Sequence, residues 1–423
     1  MPGMKMPGCP DTSPSESPDD SHGLMNMQRP ETFLQRITSH AGSGTTVEPV
    51  STPTPMLMKM RGAWMFMFHA EAFVVDQQQS GPRGADKFFS TNWLMPMAQR
   101  QMGQGLFTIR TMLSLDPATI TLRQYPLLFQ QGETAYGRPI VDGQHPHDLF
   151  MELALLYDLK LSQKSLLSFY AAPIGDPALG PTAFSHRASA AENPLATLGH
   201  HQEDSTHVAA DVATIGFTYD RVRLEASGFH GREPDENRWN IDQGRMDSWS
   251  TRATISPGRD WIGQFSFGRI ASPEALSPGD NQERMTASIS HNADFARGNL
   301  ASTILWGRTK SLPDHDIYNS YLLESTVRFR SDNYAWTRIE NAERSSELLF
   351  ASGALPAGFH EIPIGRVQAY TLGYDHDFRL IPRVLAALGG QVTFYATPGA
   401  LQAAYGDHPV GAAVFIRLRP SSE

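Results

Sequence analysis

The chain has 423 residues, 40% of them hydrophobic and 19% charged, with a formal net charge of −9. Soluble domains carry about 25% charged residues, so charge is used sparingly here, and the acidic balance argues against nucleic acid as a main partner. No apolar run reaches the ~18 residues of a helical membrane span, and the lone cysteine, Cys9, forbids an internal disulfide.

Residues 1–55 are rich in Pro, Ser, Thr, Asp, Gly and Met and are expected to form a disordered arm. They lack the charged, apolar and cleavage regions of a signal peptide, and nothing apolar precedes "MPGC" to make it a lipoprotein box. The expectation is a cytoplasmic protein, or a mature or truncated chain whose leader has been removed. A second domain, 56–423, has a different texture. Sixteen segments of alternating polarity follow one another: 58–76, 87–100, 104–115, 149–159, 163–173, 206–219, 222–232, 246–256, 260–271, 283–294, 299–310, 320–330, 333–342, 366–377, 384–396 and 410–419.

In the first, Trp64, Phe66, Phe68, Ala70 and Ala72 alternate with Met65, Met67, His69 and Glu71. A strand sends alternate side chains to opposite faces, so the segment has an oily side and a ligand-rich side. In 246–256, Trp249, Ala253 and Ile255 alternate with Ser250, Arg252 and Thr254; in 320–330, Tyr321, Leu323, Val327 and Phe329 alternate with Glu324, Thr326, Arg328 and Arg330. Pro96, inside 87–100, requires an edge or a bulge.

The connectors alternate in length. Short ones such as "YDRV" (219–222) and "RSDN" (330–333) are separated by longer polar loops at 77–86, 116–148, 174–205, 233–245, 272–282, 311–319, 343–365 and 397–409. An even strand count with short turns on one side and long loops on the other predicts an all-β fold: a closed up-and-down antiparallel transmembrane β-barrel of about 16 strands, embedded in lipid. Trp64, Tyr157, Tyr219, Trp249, Trp261, Tyr321 and Tyr370 fall near strand ends, where aromatic girdles lie. The alternative is a soluble β-rich secreted enzyme or binding module, but a propeller's repeat of 40–50 residues is missing.

Residues 58–420 resemble the bacterial outer-membrane β-barrel, porin-like proteins. "VGAAVFIRLRP" is similar to their closing strand, although "RPSSE" follows where such strands commonly end at an aromatic residue. The resemblance implies a Gram-negative outer-membrane location, a periplasmic arm, and small solutes or metal ions as cargo.

Methionine is concentrated at the front: 13 of 17 lie within residues 1–102, many as Met-x-Met or Met-x-x-Met. Thioethers are soft ligands suited to Cu(I), yet they also fill gaps in cores. A Met-rich arm before such a barrel resembles the bacterial copper-resistance outer-membrane proteins. That resemblance implies Met1, Met4, Met6, Met25, Met27, Met56, Met58 and Met60 as copper-capture ligands, with periplasmic copper proteins as partners and copper as the only cofactor to consider. Met65, Met67 and His69 would then receive the ion at the lumen wall.

Two loops gather histidine. "VDGQHPHD" offers Asp142, His145, His147 and Asp148, and "GHHQEDSTH" offers His200, His201, Glu203, Asp204 and His207. Imidazole with carboxylate suits Zn, Cu(II) or Ni, though polar external loops need no metal. Loops 116–148 and 174–205 are long enough to fold inward and narrow a pore. Parity assigns Glu71, Arg110, Glu152, Arg223, Glu225, Arg252, Arg284, Glu324, Arg328, Arg330, Arg338 and Glu340 to the lumen. Rings of fixed charge there set ion selectivity, with Arg in excess favouring anions; an ion-pair ladder that stiffens the barrel uses the same residues. No G-x-S-x-G, P-loop, dinucleotide fingerprint or H-E-x-x-H occurs, so no enzyme is expected. The reading is a porin-like channel or copper-tolerance component, against a general small-solute porin or structural barrel without a metal role.

Overall fold

A computed structural model describes residues 30–351, 353–356 and 358–421. A short strand β1 (Leu57–Arg61) precedes the barrel strands β2 (Trp64–Gln79), β3 (Lys87–Met102), β4 (Gly105–Leu113), β5 (Phe150–Lys160), β6 (Ser165–Gly175), β7 (Ala209–Tyr219), β8 (Val222–His230) and β9 (Ser248–Ile255). The ring continues through β10 (Trp261–Ile270), β11 (Gln282–Phe295), β12 (Gly298–Ser311), β13 (Ile317–Phe329), β14 (Asn333–Ser345), β15 (Pro363–Ile381), β16 (Val384–Ala396) and β17 (Val410–Pro420). Each pairs antiparallel with the next, and Ala72–Gln79 of β2 pairs with Leu418–Gly411 of β17 to close sixteen strands into a cylinder.

Lipid explains why the sequence alternates. In hydrocarbon every backbone group must find a partner within the protein, and closure removes the free edges. The outward set is apolar and bare: Phe66 is 44% exposed, Ile255 48%, Ile304 62% and Leu388 63%. In water a continuous belt of this kind would drive aggregation; against acyl chains it faces its own kind. Tyr157, Tyr219 and Trp261 sit near the short turns, while Trp249, Tyr321 and Tyr370 sit toward the long loops. Placing Arg at Ile289, mid-strand and 56% exposed, is expected to destabilise the barrel by about 2–4 kcal/mol. Urea titration in lipid vesicles measures it; an unchanged midpoint would mean that this face does not meet hydrocarbon.

Three local expectations are corrected. The segment 58–76 is a hairpin: Gly62, at φ 59°, turns the chain between β1 and β2, with Met58 opposite Met67 and Met60 opposite Met65. Pro96 sits at neither an edge nor a bulge; it stays opposite Phe68, while the ladder from β3 to β4 lapses between Leu94↔Leu113 and Met97↔Arg110, as expected of a residue with no N–H to donate. Arg330 does not face the lumen: β13 ends at Phe329, and Arg330, exposed and at φ 53°, lies in the turn to β14.

The boundary at residue 55 also moves. Residues 30–55 are folded inside the barrel; residues 1–29, with Met1, Met4, Met6, Met25 and Met27, lie outside the described residues.

Candidate functional site

The lumen is filled from both ends. From the short-turn end comes the segment 30–55. It opens with helix α1 (Phe33–Thr38), started by a capping box in which Thr32 Oγ1 accepts from Gln35 N and Gln35 Oε1 accepts from Thr32 N. Phe33 and Ile37, one turn apart, pack with Val50 onto Leu166 and Ile262 of the wall. Deeper in, Arg110 of β4 binds Glu152 of β5 through Nε (2.7 Å) and Nη2 (2.8 Å). The same guanidinium donates to the carbonyls of His40 (2.9 Å), Gly42 (2.8 Å) and Gly44. His40 Nε2 meets Asp158 Oδ2 at 2.7 Å, and Ser43 Oγ donates to Asp176 at 2.9 Å.

From the long-loop end, residues 176–208 descend between β6 and β7. Arg187 in this loop pairs with Glu324 of β13 (2.6 Å), and Arg338 of β14 holds the other oxygen (3.3 Å) while donating to Leu195 O (2.9 Å). Leu198 N donates to Glu340 Oε1 at 2.6 Å. Arg252 joins the two fillers, donating to Gly180 O of the loop (3.1 Å) and Thr45 Oγ1 of the N-terminal segment (2.8 Å).

Between them lies a thioether-lined patch. Cross-strand register places Met58, Met67 and Met97 in one row and His69 beside Met95 in the next. Met56, Met67, Met95, Met97, Met112 and Met151 form one buried cluster around Trp93, with Met58 and Met65 packed against it. His186, brought by the inward loop, packs against Trp93 with ring centroids 4.1 Å apart, and the His69 ring meets Trp93 edge-on at 4.6 Å. His186 Nε2 is 2.9 Å from Met112 Sδ. Among the described residues, His186 Nδ1 and His69 Nδ1 are buried without a hydrogen-bond partner. Burial pushes His186 well below its ordinary pKa, and charge on His69 and His207 acts in the same direction, so the ring is neutral at pH 7.

A second cluster lies above. His200 Nδ1 reaches Asp204 Oδ1 (2.7 Å) and His207 Nδ1 bonds Asp204 O (2.8 Å). Burial opposes ionisation of Asp204, but the His200 hydrogen bond and the charges of His200 and Arg187 outweigh it and hold the carboxyl below its usual range. His201 turns away, to Glu133 Oε1 at 3.3 Å. Burial pushes Glu133 up to about 7 against the pull of Arg238, and burial followed by the Glu133 charge pushes Glu233 up to about 8.

No protein-family model matches the sequence, and no curated relative matches it either. Solved structures do match. A Salmonella typhi OmpF in complex with daunomycin is 10% identical with a TM-score of 0.51, covering 86% of this chain and 100% of that one. The fold is that of a porin-like barrel. A refined porin structure (11% identity, TM-score 0.43, covering 84% and 99%) and OmpT, an outer-membrane protein of Vibrio cholerae (6%, 0.43, 86% and 99%), match more loosely.

Within the porin-like barrel the parity-assigned charges do face inward, Arg330 excepted. They are spent on one another and on the fillers. Glu225 takes both Arg223 (3.1 Å) and Arg252 (3.0 Å), Arg284 donates to Ser205 Oγ (2.7 Å), and Glu71 is buried 3.9 Å from Arg417. Arg328, opposite Asn299 and Tyr334, is half-buried near the short-turn rim. Free anion-selective rings therefore give way to ion-pair networks. Met60, 43% exposed, is not part of the buried thioether cluster. His200, His201 and His207 do not converge as one set. "VDGQHPHD" disperses likewise, His147 going to Asp116 and Asp148 to Arg238. Met112, Met151 and His186 escaped the sequence reading because they come from separate segments; inward parity was an available signal for Met112 alone, since Met151 sits at a register irregularity beside Glu152 and His186 lies in a loop.

Proposed function

We propose that the chain is a bacterial outer-membrane barrel that handles monovalent copper. In this reading residues 1–29 capture Cu(I) in the periplasm through Met1, Met4, Met6, Met25 and Met27, from small copper proteins or the free ion. The ion then passes to the Met58, Met65, Met67 and His69 wall and settles against Met112 and His186. The observation that carries the reading is the 2.9 Å approach of His186 Nε2 to Met112 Sδ within a dry nest of thioethers. With the ring proton on Nδ1, the neutral imidazole turns a lone pair to the same point as the sulfur, and soft donors of this kind favour Cu(I) over harder cations.

A second reading, a general small-solute porin or structural barrel, rests on the same fold and on Trp93: thioethers against an aromatic ring are worth about 0.3–1.5 kcal/mol each as packing alone. Competition titration of the full chain with Cu(I) separates the two. The double substitution Met112→Ile and His186→Phe keeps volume and ring stacking. It is expected to weaken binding by about tenfold or more, about 1.4 kcal/mol, with heat-modifiable gel migration retained. Equal affinity in both proteins favours the metal-free reading. Cu(I) titration of a 1–60 peptide, with a Met→Ile version as control, tests the arm in the same way.

A further inference from the structure

Above the patch the long loops enclose a chamber of about 430 Å³ whose lining is strongly acidic, including Glu274, Asp314, Asp316, Glu347 and Glu361. At one end three loops meet. Glu133 comes from a short hairpin in loop 114–149, His201 from the helical turn His200–Glu203 of the inward loop, and Glu233 from the loop between β8 and β9. Their ligand atoms, a carboxylate oxygen from each Glu and a ring nitrogen from His201, all lie within 4.8 Å of one another. We propose that Glu133, His201 and Glu233 form a binding site for a divalent cation of the zinc class, which ties the three loops across the mouth.

The independent observation is His201 itself. The residue is 7% exposed, and its Nε2 is buried with no hydrogen-bond partner among the described residues, although Glu133 Oε1 is 3.3 Å away. An imidazole nitrogen hidden from water forfeits a hydrogen bond unless something occupies its lone pair. Gly132 makes the approach feasible: at φ 99°, it lies where an added Cβ would come within 3.1 Å of the His201 ring. The Glu133 carboxylate is in turn held by His145 Nε2 at 2.7 Å, the kind of outer contact that orients a metal ligand. His145 Nδ1 in turn donates to Pro146 O at 2.7 Å, which fixes the orientation of the ring.

One imidazole and two carboxylates at Zn–ligand distances of about 2.0–2.2 Å leave a fourth position open to water from the chamber. The acidic lining raises the local cation concentration. Nitrogen and oxygen donors make this site chemically distinct from the thioether patch, so it stands whether or not the barrel handles copper.

The test is Zn²⁺ binding to the detergent-solubilised full chain by chelator competition. One variant is His201→Asn, a second combines Glu133→Gln with Glu233→Gln, and His408→Asn serves as an outlying control; heat-modifiable migration checks folding. Wild type and control are expected to bind a single Zn²⁺ on the order of micromolar or tighter, and both site variants about tenfold or more weakly. Zinc-edge X-ray absorption of the wild-type protein, expected to show imidazole nitrogen with carboxylate oxygen, keeps the question decidable should a variant fail to fold. Wild-type affinity in both variants, no tight zinc in the wild type, or a sulfur-containing shell would each overturn the site.

Discussion

Replacing Glu324 with alanine is expected to release the inward loop and cost the folded protein about 3–5 kcal/mol, the range for removing one partner of a buried ion pair. Glu324 is 1% exposed and answers two guanidiniums, Arg187 and Arg338, while also accepting from Ser189 Oγ at 2.9 Å. Its loss leaves Arg338 without its ion pair where water does not reach, and Arg187 with one carboxylate in place of two. Arg187 retains Asp204 at 3.2 Å and Thr182 O at 2.9 Å, so the loop stays tethered at its own base but leaves the wall. Three readouts are expected to move together: a lower temperature of heat-modifiable migration, new protease cuts between residues 176 and 208, and larger single-channel currents in planar bilayers. Glu324→Gln, which keeps shape but not charge, should fall between. Unchanged proteolysis and current would mean that the loop is held by something other than this carboxylate.

Replacing Arg110 with methionine acts on the other filler and is expected to cost a similar amount, about 3–5 kcal/mol. Glu152 would be left buried, keeping only Tyr170 Oη at 2.6 Å and the Gly44 amide at 3.2 Å. Three carbonyls of the 30–55 segment would also lose their donor. The double variant with Glu152→Met separates these effects. Removing both members of a buried pair is close to neutral, so the barrel's stability should largely return. The carbonyls of His40, Gly42 and Gly44 remain unanswered, so protease sensitivity of residues 30–55 should persist. Recovery of both, or of neither, would contradict the division of labour drawn for Arg110.

The wall of the barrel was readable because lipid imposes one rule on every strand: alternate residues must be apolar, and long and short connectors must take turns. The lumen was not, because its contents come from segments with no such rule. Residues 30–55 look compositionally like a tail, and only "TFLQRI", with a capping box at Thr32/Gln35 and Phe33 and Ile37 one turn apart, hinted at packing. Arg330 was misplaced by carrying parity one residue past the end of a strand. The thioether rows on β1–β3 were visible as Met-x-Met, whereas His186 joined them only through the descent of a loop whose inward turn, though foreseen, had no predictable landing point. The Glu133–His201–Glu233 group needed three loops at once, and spacing along the chain carries no trace of it.

The central claim, a soft-metal site inside a porin-like barrel, is tested most directly by copper-edge X-ray absorption. The sample is the full chain with Met1, Met4, Met6, Met25 and Met27 replaced by isoleucine and loaded with a single equivalent of Cu(I). A shell of two or three thioether sulfurs with one imidazole nitrogen, lost on replacing Met112 and His186, is the predicted result. A shell of nitrogen and oxygen alone, or one indifferent to those two substitutions, would contradict it.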